Sequence, residues 1–240
     1  MSDFYGSSGI NFYGSSGINF KEIKKPIAEP ISQEEIWDIG KTITNEQDRT
    51  LFYFLYLSGG RINECLQVQV RDIRIRPVKL KSGKKVKGIA IDLLTLKRRK
   101  GIPRRTILVN PMGLDREMFK VIAEFRATRP KPDMYLFDYG DIKSQKARKN
   151  AYWHLKSIKY SIRGISPPDG KMVLMPEFGL HPHFLRHCRT THLVETYGYN
   201  DHELMLYFGW ASTAMAPRYT NLNPIELMGK MVDVEGGQEI

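Results

Sequence analysis

Apolar residues recur at helical spacing along most of the chain, and the pattern changes to strict alternation only between residues 70 and 110. Ser32-Gln-Glu-Glu35 has the form of a capping box, with Ser32 as N-cap and Glu35 three residues on, and predicts a helix to about Thr42. Asn45 or Asp48 caps a second helix, in which Leu51, Phe52, Leu55 and Tyr56 share a face and which ends at Ser58-Gly59-Gly60. Helical character resumes over Ile62–Leu66. Val70–Arg76 and Val86–Ile91 alternate at period two around a turn at Ser82-Gly83-Lys84, and Thr106–Val109 is a third apolar run. These three runs predict a small antiparallel sheet. Met112–Thr128 is again helical, with Met118, Val121, Ile122 and Phe125 on one face, until Arg129-Pro-Lys-Pro132 breaks it. Tyr135–Phe137 reads as a short buried segment, and Asp141 caps a long helix reaching about Arg163 with Ala151, Leu155, Ile158 and Ile162 as its apolar face. A Pro/Gly-rich connection over Gly164–Gly179 leads to a helical segment at His181 and another capped by Asn200 or Asp201 that runs to Phe208.

The ends differ from this. FYGSSGIN at 4–11 recurs at 12–19, and its Gly, Ser and Asn content predicts a flexible tail to which no function is assigned. Residues 1–30 are thus a tail and linker, 31–225 one folded domain, and 226–240 an acidic, Gly-bearing end that docks in cis or in trans. The whole predicts a mainly α fold with a small three-stranded antiparallel sheet.

Charge narrows the partner. The net charge is +11 and the pI about 9.6, which favours a polyanion, with nucleic acid first among candidates. The cations cluster. Lys97-Arg98-Arg99-Lys100-Gly-Ile-Pro-Arg104-Arg105 places six basic residues in nine ahead of the third strand, a density suited to a DNA backbone or groove. Its lysines include a candidate general acid. The helix after Asp141 carries Lys143, Lys146, Arg148, Lys149, Lys156, Lys159 and Arg163 and no acidic residue, which suits docking on duplex DNA. Cys65 and Cys188 lie in apolar helical patterns, so neither a disulfide nor a zinc framework is expected. No apolar run is long enough to span a membrane and no signal peptide is visible, which predicts a cytoplasmic protein.

Three residue types point to phosphodiester chemistry. His183 and Arg186 sit three apart and project from one helix face. Gly209-Trp210 is followed by Tyr219 among small and polar residues. Guanidinium groups fork onto phosphate oxygens, imidazole moves protons near neutral pH, and a phenol can be a covalent nucleophile. Arg61, straight after the double glycine, supplies a second basic centre, with Glu64 three residues on to hold its guanidinium. No acidic cluster suited to a two-metal site is present, so neither a metal nor a cofactor is expected.

Ser58-Gly-Gly-Arg61-Ile-Asn-Glu64, the basic hairpin around Lys97, His183-Phe-Leu-Arg186-His187, and Gly209-Trp210 with Tyr219 nine residues on resemble, in order and spacing, the tyrosine recombinase (phage integrase) family from about Ile31 to Leu222. The resemblance implies the catalytic-domain fold of that family. It implies Arg61 and Arg186 as phosphate-binding arginines, Glu64 as the acidic residue that steadies Arg61, and Tyr219 as nucleophile. Lys97, with Lys100 as alternative, would protonate the leaving 5′-hydroxyl; Trp210 stands where most members carry His. Arg98, Arg99, Arg104, Arg105, Lys143, Lys146 and Lys149 would hold DNA. The implied activity is site-specific cleavage and rejoining of double-stranded DNA through a 3′-phosphotyrosyl link, without metal or ATP. A catalytically silent DNA-binding module and a type IB topoisomerase-like relaxing enzyme are the alternatives. The implied assembly is a homo-tetramer on DNA, with a monomer allowed when free, in a prokaryotic cell or the host of a virus or plasmid. Most members carry a DNA-gripping helical domain ahead of the catalytic one, so either a minimal recombinase or a catalytic fragment is expected.

Overall fold

The computed structural model describes residues 30–79, 83, 85–96, 104–142, 145–162 and 181–214; at 78, 79, 86, 87 and 157–162 it describes the backbone alone. The expected tail at 1–29 and the end at 226–240 lie outside the described residues.

Helix α1, Gln33–Thr42, begins with the predicted capping box: Glu35 N–H donates to Ser32 Oγ at 3.1 Å and Ser32 N–H to Glu35 Oε2 at 2.7 Å. Helix α2, Glu46–Ser58, is the centre of the domain. Ten of its thirteen residues are buried, so it is covered on all sides rather than along one stripe. It stops at Gly59, which has φ 53°, and a Cβ there would lie 2.2 Å from the Phe208 ring. Both the left-handed backbone and the close approach therefore require glycine. The short helix α3, Ile62–Leu66, follows at once.

Strands β1 (Ile73–Lys79), β2 (Lys85–Leu94) and β3 (Arg104–Val109) form one antiparallel sheet in the order β1-β2-β3, with Ile73 opposite Ile91 and Ile89 opposite Val109. The fold class is as expected; the strand limits shift by up to three residues, and two of the shifts have a visible cause. Val70–Asp72 forms a 3-10 turn, because the Asp72 carboxylate accepts the Gln69 N–H at 2.9 Å, and Val70 N–H pairs instead with Met134 C=O. At the other edge, β3 starts at Arg104 rather than Thr106, and its alternation carries Arg105 inward.

Helices α4 (Gly113–Ala127), α5 (Gln145–Ile162), α6 (Pro182–Glu195) and α7 (Asp201–Phe208) complete the described fold. α4 and α6 pack on α2, and Arg189 of α6 meets Asp115 of α4 through two hydrogen bonds of 2.9 and 2.8 Å in the fully buried core. α5 buries Ala147, Ala151 and Leu155 and turns Lys146, Arg148 and Lys149 outward. Among the described residues, no helix is long and apolar enough to cross a membrane.

Candidate active site

The site is built where α2 ends. Arg186 projects from α6 between two helix C-termini: its Nη1 donates to Gly59 C=O at 2.5 Å and its Nη2 to Phe208 C=O at 3.3 Å. The last carbonyls of a helix lack intrahelical partners and carry partial negative charge, so a guanidinium satisfies both helices at once. Its head group also lies over the Phe208 ring at 4.6 Å and the Trp210 ring at 5.9 Å, and Trp210 itself stacks on Phe208. Arg186 thereby ties the Gly59 turn, the end of α7 and Trp210 together.

Arg61 lies two residues after Gly59, at the N-cap of α3. Its backbone N–H donates to Glu64 Oε2 at 3.1 Å and its Nη1 to Oε1 at 2.9 Å. Glu64 is completely buried and has a second cation: Arg105 Nη2 donates to the same Oε2 at 3.2 Å. Burial alone would raise the Glu64 carboxyl, but Arg105 and Arg61 together hold it below the ordinary carboxylate range. Arg105 is 9% exposed, and its Nε and Nη1 have no hydrogen-bond partner among the described residues. It packs against Gly209, where a Cβ would lie 3.0 Å from Arg105 Cδ.

His183 is exposed one turn before Arg186 on α6. The helix start is fixed by His181, whose Nδ1 accepts the Phe184 N–H at 3.1 Å, with Pro182 at the first helical position. Burial, and then the neighbouring His183, hold the His181 imidazole below its ordinary pKa, which favours the neutral ring needed for this cap. Arg61 and His183 face one cleft of about 750 Å³, which α5 closes with Arg148, Lys149, Tyr152 and Trp153.

The structure thus gathers Arg61, Glu64, Arg186 and Trp210 around the Gly59 turn, and sets His183 beside Arg61 in the cleft. Lys149 lies in the cleft wall, and Lys146 is exposed one turn earlier on the same helix. Of Arg104 and Arg105, expected as DNA contacts, Arg105 is buried and serves Glu64, whereas Arg104 is exposed and its Nη1 donates to Asp72 Oδ1 at 2.7 Å. Lys97, Arg98, Arg99, Lys100, Lys143 and Tyr219 lie outside the described residues. Sequence reasoning missed the pairing of Arg105 with Glu64, the His181 cap and the aromatic wall of the cleft. The signal for the first was the period-two pattern of β3, which continues back to Arg105. Among the described residues, no group of three or more His, Cys, Asp or Glu side chains could hold a metal ion.

The sequence profile of the phage integrase family matches residues 30–226. A comparison with curated protein sequences finds no match. Among solved structures, the chain is similar to XerH site-specific recombinase bound to difH substrate, at 19% identity and TM-score 0.53, covering 87% of this chain and 54% of that one. It is also similar to XerA recombinase, at 18% identity and TM-score 0.54, covering 90% of this chain and 68% of that one. A third is the Tn1549 transposon integrase in complex with transposon right-end DNA, at 15% identity and TM-score 0.59, covering 90% and 68%. The chain spans about half the length of the XerH protein. At these identities the likeness is one of fold.

Proposed function

The chain belongs to the phage integrase family, and on that premise we propose that it is a site-specific DNA recombinase that cleaves and rejoins strands through a 3′-phosphotyrosyl intermediate. The observation that supports this most is the placement of Arg61 and Arg186 at the turn that closes α2, with Trp210 against Arg186 and His183 in the cleft that Arg61 lines. Guanidinium groups suit the non-bridging oxygens of a scissile phosphate, and on this reading Arg61 and Arg186 donate to them. Negative charge grows on those oxygens as Tyr219 attacks, and each fixed donor is typically worth about 10²–10³ in rate. A free phenol has a pKa of ~10 and needs an acceptor for its proton; His183, exposed in the cleft, is that acceptor. Lys97, or Lys100 in its place, protonates the leaving 5′-hydroxyl. The Trp210 indole donates a hydrogen bond but moves no proton. The phosphotyrosyl ester keeps the energy of the broken bond, so a second 5′-hydroxyl reverses the step without ATP.

Double-stranded DNA is the substrate and partner, with a homo-tetramer as the assembly in which strands are exchanged. Incubation with a nicked suicide substrate carrying the cognate site tests the chemistry. A covalent protein–DNA adduct is expected, and Tyr219→Phe should abolish it while binding persists. An adduct formed by the Phe variant would show that the nucleophile is another residue. Binding without any adduct would favour a silent DNA-binding module, and relaxation of supercoiled DNA without strand exchange a topoisomerase-like role.

A further inference from the structure

We propose that the cleft beside Arg61 and His183 is a nucleobase site, in which Tyr152 and Trp153 of α5 stack on one base of an unpaired strand. The inference rests on the reading of the chain as a DNA-processing enzyme and adds to it a subsite and a state of the DNA. The basic composition of α5 explains why it meets DNA, but cations alone do not explain its aromatic pair. Tyr152 is 42% and Trp153 60% exposed. By contrast Trp210 is 6% exposed, and Trp37 stacks on Tyr53 against the core. Two large rings left in water on a helix whose other exposed described residues are polar or charged call for a ligand with an apolar face.

The rings are adjacent in sequence and meet at 78°, centroids 6.3 Å apart, so they form a corner rather than a parallel pair. A corner takes a single flat group, its face on one ring and its edge against the other. Lys156 Nζ lies 4.9 Å over the Trp153 ring and occupies one of its faces, which leaves the other to the ligand. Other walls include Leu96, Pro182 and His181, and the lining also carries the cations Arg61, Arg148 and Lys149. A volume of about 750 Å³ accommodates a nucleotide. Ring faces beside a cluster of cations match a nucleotide, which carries a flat heterocycle and an anionic backbone together. An acidic peptide has the charge without the flat group.

Stacking requires a free base face. Within a duplex both faces of every base are covered by its neighbours, so an aromatic corner beside a phosphate-binding site is complementary to DNA in which one base has left the stack. The base belongs to the strand whose phosphate Arg61 and His183 hold, since these residues line the same cleft.

The test is fluorescence anisotropy of end-labelled oligomers with the full chain. The probes are hexathymidylate, an abasic hexamer with the same phosphates, and hexadeoxyuridylate, which lacks the thymine methyl. Wild type should bind hexathymidylate and hexadeoxyuridylate alike, and both about 5- to 150-fold more tightly than the abasic hexamer. Trp153→Ala and Tyr152→Ala should reduce that ratio toward one while retaining affinity for the abasic hexamer; both positions are exposed, and circular dichroism confirms the fold. Arg148→Ala should weaken all three probes together. Equal binding of base-bearing and abasic hexamers overturns the inference, as does an undiminished ratio in Trp153→Ala. A preference that vanishes with hexadeoxyuridylate assigns the wall to thymine methyl groups and overturns it too. A chain that forms the Tyr219 adduct but ignores the bases keeps the proposed function and loses this subsite. A chain with the base preference and no adduct does the reverse.

Discussion

With Oε1 on Arg61 and Oε2 on Arg105, the Glu64 carboxylate divides itself between two guanidinium groups. A lone carboxylate tends to clamp an arginine with both oxygens. Here Arg105 and the Arg61 backbone N–H occupy Oε2, so the carboxylate touches the Arg61 head group through Nη1 alone. That leaves its other edge for a phosphate, and it keeps the trio at a net positive charge. Arg105→Gln is therefore expected to slow adduct formation by up to ~10², the cost of a small misplacement of a reacting group, with little change in DNA affinity. Glu64→Gln should slow it as well, and the double variant should be no worse than the more severe single one, because both act through the same contact. Adduct rates from the four proteins check this, and additive losses would separate the two residues. In pH terms, a depressed Glu64 pKa contributes stability that is complete above the ordinary carboxylate value and lost only in more acidic solution. The sequence showed Glu64 beside Arg61 but not the partner on its far side. Arg105 lies 41 residues away and reads as one more cation in a basic run until the strand alternation is followed inward.

At the scale of elements, α6 carries the candidate chemistry at its start and an anchor in its middle. Arg189 is 1% exposed and its only carboxylate partner among the described residues is Asp115 of α4, itself fully buried. Breaking such a pair from one side leaves an uncompensated charge in the core, so Asp115→Ala should lower stability by about 3–5 kcal/mol, read from the urea midpoint. One turn on, His192 is hydrogen-bonded to the Tyr56 hydroxyl at 2.8 Å, and burial, followed by the Arg189 charge, lowers its pKa from 6.5. The unfolded chain then binds the proton more readily than the folded one. Stability should be full above pH 6.5 and fall as pH drops below it. Thermal midpoints at about pH 7.5 and 5.5 test the sign, and His192→Gln should lessen the slope. The helices themselves were legible from period and caps: Ser32 caps α1 as expected. Of the paired candidates Asn45 and Asn200, not Asp48 and Asp201, cap α2 and α7, while α5 begins at Gln145, four residues past the expected cap Asp141. What the period of α5 did not reveal is its cleft-facing side. Apolar spacing marks the residues a helix buries, and Tyr152 and Trp153 are not among them.

For the molecule as a whole, the +11 charge sets how it would meet the proposed DNA partner. Affinity for duplex should fall linearly on a log–log plot against salt, with a slope of about −0.9 for each phosphate neutralised. Lys146→Glu with Lys149→Glu, on the exposed side of α5, should flatten that slope; anisotropy over a salt series measures it, and a flat wild-type profile would contradict a phosphate footprint. The mainly helical domain with one small sheet was readable throughout, because each segment has a clear period and the sheet is built from neighbouring strands. The convergence of the site was not readable from any single segment. Arg61 and Arg186 are 125 positions apart, and only the closing of α2 and α7 on one guanidinium brings them together.

That guanidinium has an implication for how the protein tolerates change. Arg186 is both a proposed reagent and a rivet between two helix ends, so damage to it should show first as poor solubility and only then as lost turnover. A drifting copy of this chain would shed Tyr219 or His183 long before it shed Arg186. An inert descendant should therefore still display the arginine long after the reaction had gone.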